Sequence, residues 1–400
     1  MMPVVKNKKE IYLDHAATTY TDPTVVEAML PYFTKNYGNP SSLYHKGREA
    51  NGALNDARRT VAKLINALPE NIIFTGGGTE SDNMAIYGIA RAHETKGKHI
   101  ITTSMEHHAV IHPLEDLQKQ GFEVTYLKVD TNGFVKTEDV VKAIRPDTIL
   151  ISIMYANNEV GTIEPIADIG RELLKYRQEN KTTFPYFHTD ACQAAGAMTL
   201  DVEKLHVDLM TVNGSKIYGP KGTGILYIRR GVRIKPLIVG GGQERHLRSG
   251  TENVPGIMGF AKALEMAQQN CEKESARLLE LSIYLWSELQ AKIPKLKLNG
   301  PQLGENRLPN NLNITFIDVE GEAMLLYLDE YGVMCSTGSA CTSESLDPSH
   351  VLLAMGLPYE YSHGSLRFTF GHCNTKKDID YLMSFLPAVT QQLREVNQLK

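Results

Sequence analysis

Short apolar runs alternate with segments of helical apolar spacing between residues 70 and 230, and this alternation constrains the fold most strongly. Helical spacing is seen around Leu114 and Leu117 and again around Ile169 and Leu173. The apolar runs expected to form buried strands lie at 72–74, 100–101, 124–127, 149–153, 186–187 and 209–212. Such alternation predicts a mainly parallel sheet with helices on both faces, which is an α/β fold.

The pattern changes after about residue 260. The expected elements there are a helix over 259–293 that Pro294 ends, an apolar run at 312–317, a helix over 320–331 and a strand at 365–370. This order is typical of a smaller α+β domain. Because 400 residues are too many for one compact core, at least two domains are expected.

Composition excludes several classes of protein. The formal net charge of −4 argues against nucleic acid or an anionic membrane as a stable partner. The N-terminus lacks the features of a signal peptide, and no apolar run is long enough to cross a bilayer. Five cysteines without CxxC pairs make a disulfide framework or a zinc site unexpected. We therefore expect a cytoplasmic protein with reduced thiols.

A glycine-rich segment, NGSKIYGPKGTG at 213–224, directly follows the expected strand at 209–212. Ligands of open α/β sheets bind at the carboxyl ends of strands, and glycines let the backbone approach a ligand closely. Asn213, Ser215 and Lys216 offer phosphate-binding and amine groups. A loop with one more solvated lysine is an equally open interpretation of this segment alone.

Asp190 lies at the end of the preceding expected strand, in FHTDACQ at 187–193. One crossover separates it from Lys216, and neighbouring strands lie roughly 4.8 Å apart. The two side chains are therefore placed to flank one small aromatic ring. Pyridoxal phosphate needs such a pair, a lysine for its aldehyde and an aspartate for its pyridinium nitrogen. A helix N-cap remains an alternative role for Asp190.

A third segment, FTGGGTESDN at 74–83, runs from a strand through three glycines into a helix. Free backbone N–H groups and the helix dipole make such a turn a phosphate cradle. It matches neither GxGxxG nor the Walker pattern, which counts against a dinucleotide or ATP site.

The fourth segment, CSTGSACTSES at 335–345, is a run of small and polar residues. Cys335 is expected to be a buried strand residue. Cys341 has no apolar periodicity around it, so it is a candidate nucleophile if its site lowers the thiol pKa. A structural role for a lone cysteine stays open at this point.

Taken in order, these segments resemble the class V branch of the fold-type I pyridoxal-phosphate enzymes, and most closely the cysteine desulfurases of the nitrogen-fixation and iron–sulfur-cluster type. The resemblance runs from YLDHAATT at 12–19 to LRFTFG at 366–371. Further motifs are GTES at 78–81, EHHAV at 106–110, NNEVG at 157–161, KIYGPKG at 216–222, GGGQER at 240–245 and RSGT at 248–251. SACTS at 339–343, followed by LDPSHV at 346–351, resembles the cysteine loop of group I desulfurases.

The resemblance implies a domain division. A large cofactor-binding domain over 14–260 would hold a mainly parallel, seven-stranded sheet. A smaller α+β domain would combine 1–13 with 261–400 and carry the catalytic cysteine loop at about 334–350. The active form implied is a homodimer.

The resemblance also implies roles for single residues. Lys216 would carry the cofactor and then act as the base, with Asp190 on the pyridine nitrogen. His107 would stack on the ring and move protons, and Arg367 would clamp the substrate carboxylate. The remaining contacts would be Gln193 and Asn157 at the ring hydroxyl and substrate side, Gly78, Thr79, Asn213, Gly214 and Ser215 at the phosphate, and Thr251 from the other subunit.

At one cofactor position the chain departs from the family. The family usually has His immediately before the cofactor lysine, and here the residue is Ser215. A hydroxyl can bond a phosphate oxygen but brings no positive charge. The substitution predicts somewhat weaker cofactor binding with activity retained.

The activity implied is removal of sulfur from L-cysteine. Cys341 would attack the substrate sulfur, which leaves alanine and a persulfide that passes to an iron–sulfur scaffold protein or to tRNA thiolation. No resident metal is expected, with Cys341 at most a transient ligand of an iron–sulfur cluster. Three alternatives stay open: a selenocysteine lyase, a class V aminotransferase, which has no need of Cys341, and a non-catalytic scaffold for cluster assembly.

Overall fold

The computed structural model describes residues 8–304, 306–337 and 348–397. In this part of the chain the strands form three sheets. In chain order they are β1 (Ile11–Tyr12), β2 (Ile72–Thr75), β3 (His99–Thr103), β4 (Glu123–Leu127), β5 (Thr148–Ser152), β6 (Tyr186–Asp190), β7 (Leu209–Asn213), β8 (Gly224–Ile228), β9 (Leu296–Asn299), β10 (Asn311–Phe316), β11 (Val333–Met334) and β12 (Ser365–Thr369).

The largest sheet has seven strands in the order β2-β8-β7-β6-β5-β3-β4. β8 runs antiparallel to both of its neighbours, and the other adjacent pairs are parallel. The six apolar runs of the sequence are β2 to β7, so the prediction of a mainly parallel α/β sheet is confirmed. β8 was not predicted, because its first residue, Gly224, belongs to the glycine-rich segment.

Helices cover both faces of this sheet and pack around the smaller ones. They are α1 (Pro23–Met29), α2 (Pro31–Thr34), α3 (His45–Leu64), α4 (Gly78–His93), α5 (His108–Lys119), α6 (Thr137–Lys142), α7 (Ile166–Glu179), α8 (Val202–Leu205), α9 (Val254–Lys292), α10 (Gly321–Glu330), α11 (His350–Ala354), α12 (Tyr359–Ser362), α13 (Lys376–Met383) and α14 (Leu386–Asn397). Among the described residues, none of these helices is both long and apolar enough to span a bilayer.

The long helix α9 contributes to two separate apolar cores. Near its start, Phe260 and Leu264 pack in the core of the seven-stranded sheet. Near its end, Leu285 and Leu289 pack with the antiparallel sheet β12-β10-β9. Each fully buried side chain of this size stabilises the fold by roughly 1.5–3 kcal/mol. The domain division predicted at residues 13/14 and 260/261 stays a prediction.

Asn253 gives α9 its defined start. Its side-chain Oδ1 accepts a hydrogen bond from Gly256 N at 3.1 Å, which satisfies one of the free N–H groups of the first turn.

The carboxyl ends of β6 and β7 lie side by side. The register pairs His188 with Leu209 and Asp190 with Thr211. Asp190 and the segment that follows Asn213 therefore emerge at the same edge of the sheet, the edge where α/β proteins bind ligands.

Candidate active site

A cavity of about 330 Å³ lies at this edge of the sheet. Eight side chains singled out from the sequence line it. They are Gly78, Thr79, His107, Asp190, Gln193, Asn213, Lys216 and Arg367.

Lys216 and Asp190 come from the two adjacent strands. Lys216 lies in the single 3₁₀ turn that follows β7, and its Nζ donates to Ala16 O at 2.9 Å and to Ala17 O. Asp190 ends β6, and its Oδ1 accepts from Cys192 N at 2.9 Å. Asp190 therefore stabilises the turn after its strand and faces the cavity. It is not a helix N-cap, because Gln193 occupies that position in the next helical turn, Ala194–Gly196.

His107 precedes α5 and caps its first turn. Its Nδ1 accepts a hydrogen bond from Ala109 N at 3.1 Å, so in the neutral ring the proton sits on Nε2. Burial lowers the pKa of His107, partly offset by the nearby Asp190 carboxylate, and this keeps the ring neutral near pH 7. The cavity thus contains an imidazole with a defined donor atom.

The turn from β2 into α4 forms the predicted cradle. Gly77 has a φ of 138°, which favours glycine, and α4 begins at the next residue. A Cβ at Gly78 would lie 2.9 Å from Cys192 Sγ and 3.5 Å from the side chain of Asn213. Only glycine leaves the N-terminus of α4 open to an anion here.

Ser215 and Gly214 stabilise the backbone turn that carries Lys216. Ser215 Oγ is 3.2 Å from Asn213 Oδ1, which also accepts from Ser215 N at 3.1 Å. A Cβ at Gly214 would lie 2.5 Å from Thr223 Oγ1, so the close packing of this turn requires glycine. Neither residue is among those that line the cavity. Their predicted phosphate contacts stay predictions.

Arg367 reaches the cavity from β12. It is 2 % exposed; its Nη2 donates to Asp14 Oδ1 at 2.7 Å and its Nη1 to Asn158 O at 2.9 Å. Its buried Nε has no hydrogen-bond partner among the described residues. A guanidinium held this way retains N–H donors for a second anionic group.

Asn157 does not line the cavity, in contrast to its predicted contact with cofactor and substrate. Its Oδ1 accepts from Glu159 N at 2.8 Å and Val160 N at 2.9 Å, and its Nδ2 donates to Met105 O at 3.0 Å. These bonds occupy the amide in a turn. The neighbouring Asn158 lines the cavity instead.

Asp82 also lines the cavity and was not singled out from the sequence. It is 1 % exposed, and its Oδ1 has no hydrogen-bond partner within the described chain. Burial and the adjacent Asp190 raise the pKa of Asp82, which favours the neutral acid. The only sequence signal was an acidic residue one turn after the glycine cradle.

Besides Gly214, Ser215 and Asn157, one more predicted residue of the described chain, Thr251, does not line the cavity. Thr251 is exposed and lies outside it, so its contact with a second subunit stays a prediction. Cys341 lies outside the described residues. Cys335 is buried, as expected. It is the residue directly after β11, so it is not part of the strand that was expected to contain it.

The seven-stranded sheet, with a lysine and an aspartate at adjacent strand ends, is the architecture of the fold-type I transferases. The chain belongs to the class-V aminotransferase family, which matches residues 11–382. It is 53 % identical over 391 residues to a protein named cysteine desulfurase IscS from Clostridium botulinum, covering 98 % of this chain and 97 % of that one. The family resemblance seen in the sequence motifs is confirmed.

Two solved structures are similar to this chain over most of its length. A NifS-like protein, 38 % identical, superposes with a TM-score of 0.89 over 96 % of this chain and 100 % of the other. A structure described as SspA in complex with cysteine is 35 % identical, with a TM-score of 0.78 over 91 % of this chain and 99 % of that one.

Proposed function

We propose that this protein is a pyridoxal-phosphate-dependent cysteine desulfurase that converts L-cysteine to L-alanine and an enzyme persulfide on Cys341. The observation that carries the proposal is the placement of Lys216 and Asp190 at adjacent strand ends facing one cavity, with Arg367 in its wall. The names of the curated relatives support the same activity.

The cavity fits the cofactor. The open N-terminus of α4 at Gly78 and Thr79 suits its phosphate, Asp190 suits its ring nitrogen, and Lys216 supplies the amine that links to its aldehyde. When bound, pyridoxal phosphate withdraws electrons from the substrate Cα and so makes its proton acidic.

Four residues of the cavity have different roles in binding and converting the substrate. Arg367 binds the carboxylate through donors that Asp14 and Asn158 leave available. Lys216 removes the Cα proton as general base, and the Asp190 carboxylate stabilises positive charge at the floor of the cavity. The neutral His107 carries a proton on Nε2 and can donate it to the substrate as a general acid.

Ser336, five residues before Cys341 in the sequence, is held beside this cavity. Ser336 N donates to Arg367 O at 3.2 Å and Arg367 N to Ser336 O at 2.6 Å, which joins Ser336 to a residue of the cavity wall. Five residues span at most about 18 Å. The Cys341 thiolate attacks the substrate sulfur and forms an S–S bond. The electron pair of the breaking C–S bond stays on the substrate Cβ, which takes up a proton to give the methyl group of alanine, and the persulfide remains on Cys341.

The active form is a homodimer. Five large apolar side chains, each more than half exposed, lie within fifteen residues: Leu30, Phe33, Tyr37, Leu43 and Tyr44. This exposed apolar segment suits burial against a second copy. We place the enzyme in the cytoplasm, with an iron–sulfur scaffold protein or a tRNA-thiolation protein accepting the sulfur.

The decisive experiment incubates the protein with pyridoxal phosphate, L-cysteine and a reductant and measures sulfide and alanine. Cys341→Ala is compared with Cys271→Ala, a half-buried cysteine on α9 away from the cavity. Equal sulfide and alanine from the parent and Cys271→Ala, with loss in Cys341→Ala, support the proposal. Unchanged turnover in Cys341→Ala would exclude Cys341 as sulfur carrier and favour a lyase.

Two further readouts separate the remaining alternatives. Amino transfer to a keto acid without sulfide would indicate an aminotransferase. Absence of bound cofactor and of any turnover would indicate the scaffold role, whereas higher efficiency with selenocysteine than with cysteine would indicate a selenocysteine lyase.

A further inference from the structure

A second, smaller cavity lies on the other side of Lys216. Its volume is about 60 Å³, and it is enclosed between α9, the 3₁₀ turn Ala194–Gly196 and the end of β12. Two residues, Gln193 and Lys216, line both this rear cavity and the main one. Gln193 and Lys216 therefore lie between the two cavities.

The wall of the rear cavity combines apolar side chains, such as Met266, Leu278 and Phe370, with a group of polar residues. This group includes His15, Tyr218, Asn270, Glu274, Asn310 and His372. At roughly 30 Å³ per water, a volume of about 60 Å³ has room for about two water molecules beside these polar groups.

A series of polar contacts connects the rear cavity to the surface. Tyr218 OH lies 3.4 Å from His15 Nδ1, and it accepts a hydrogen bond from the backbone N–H of His372 at 2.8 Å. His372 Nε2 lies 4.0 Å from Glu274 Oε1. His372 is 40 % exposed at its side chain, so these groups extend from beside Lys216 to solvent.

We propose that the rear cavity holds a short water chain through which Lys216 exchanges its protons with solvent while substrate fills the main cavity. In this step the Lys216 ammonium gives one proton to a rear-cavity water, the chain releases a proton to solvent near Glu274 and His372, and Lys216 regains a solvent proton. The exchange is balanced, with no oxidant, reductant or net charge change. The proposal rests on the proposed role of Lys216 as the base.

The test follows the fate of the Cα hydrogen. L-Cysteine deuterated at Cα is converted in ordinary water, and the deuterium at Cα of the alanine product is measured by mass spectrometry. The parent is expected to lose most of this deuterium. Ala267→Leu, which fills the rear cavity, is expected to retain several-fold more, while Ala276→Leu, an exposed alanine on the same helix, matches the parent.

Glu274→Gln is a second, nearly isosteric variant that removes the carboxylate without filling space. It is expected to raise deuterium retention in the same direction, with Glu280→Gln, exposed on α9, as its control. Deuterium retention equal to the parent in both Ala267→Leu and Glu274→Gln would overturn the water chain while leaving the desulfurase activity standing. Absence of any alanine from the parent would instead reject the activity itself.

Discussion

Arg367 Nη2 donates to Asp14 Oδ1 at 2.7 Å, and this ion pair links the second residue after β1 to the middle of β12. The guanidinium is almost fully buried, and the carboxylate is 16 % exposed at its side chain. A buried charge is stable only when it is paired and hydrogen-bonded. Asp14 therefore both neutralises Arg367 and fixes the direction of its remaining donors.

Replacing Asp14 with Asn tests this positioning. The amide oxygen keeps an acceptor for Arg367 but loses the charge, which makes the bond weaker. We expect KM for L-cysteine to rise about tenfold, which corresponds to ~1.4 kcal/mol, with kcat changed by less than about twofold. Steady-state alanine formation measures both constants. A fall in kcat at constant KM would contradict the positioning role.

The adjacent asparagines 157 and 158 provide a matched pair. Asn157→Ala removes three hydrogen bonds to buried backbone groups, so the free energy of unfolding should fall by about 2–4 kcal/mol. Asn158→Ala leaves the backbone bond to Arg367 intact and should change stability by less than about 0.5 kcal/mol while lowering kcat/KM about tenfold. Urea denaturation and alanine formation measure the two effects. Equal effects of both substitutions on stability would contradict the assignment.

Hydrophobic patterning was sufficient to predict most of the fold. The runs that became β2, β3 and β5 to β7 are buried, and such runs have few alternatives in an α/β chain. The run in β4, at the edge of the sheet, is only partly buried. β8 was not predicted because it begins at Gly224, and the glycines that precede it favour a loop when only the neighbouring residues are considered. Pairing with β2 and β7, which the sequence does not display, extends that segment into a strand.

A site residue could be predicted where its functional group and its position at a strand end both indicated its role. Lys216 and Asp190 are identified by residue type at strand ends. Two identical neighbours such as Asn157 and Asn158 cannot be distinguished in this way, since only the turn geometry decides which side chain faces the cavity. Asp82 was missed because burial of an acid is set by the packing of α4 on the sheet, not by local sequence.

The contact between Gly78 and Cys192 gives a prediction about cofactor binding. In Gly78→Ala the new methyl would crowd Cys192 Sγ at 2.9 Å and narrow the cradle, so the Kd for pyridoxal phosphate should rise at least about tenfold, or ~1.4 kcal/mol. The double variant Gly78→Ala/Cys192→Ala removes the crowding and should recover a large part of the affinity. Absorbance titration of the apoprotein measures Kd. No recovery in the double variant would show that the contact with Cys192 is not the cause.

Glu106 predicts a pH dependence of stability. Its carboxyl lies beneath the cavity, accepting from Thr103 Oγ1 at 2.7 Å and Met154 N at 3.0 Å, and its Oε2 has no partner in the described part of the chain. Burial raises the pKa of Glu106 from 4.5 to about 8. The folded protein thus keeps a proton that the unfolded chain releases, so the unfolding free energy falls as the pH rises from about 4.5 to about 8.

Glu106→Gln removes this titration. At ~1.4 kcal/mol per pKa unit, Glu106 alone contributes at most about 5 kcal/mol of pH dependence across the window, and the variant should lose that part of the slope. The amide nitrogen has no acceptor at the position of Oε2, so a constant loss of about 1–3 kcal/mol in the unfolding free energy is also expected, and the slope is the quantity to compare.

Urea unfolding at several pH values measures this slope, with the exposed Glu27→Gln as control. Glu164, whose pKa burial also raises to about 8, would leave a residual slope in the variant. A slope identical to that of the parent would mean that Glu106 is already ionised in the folded protein.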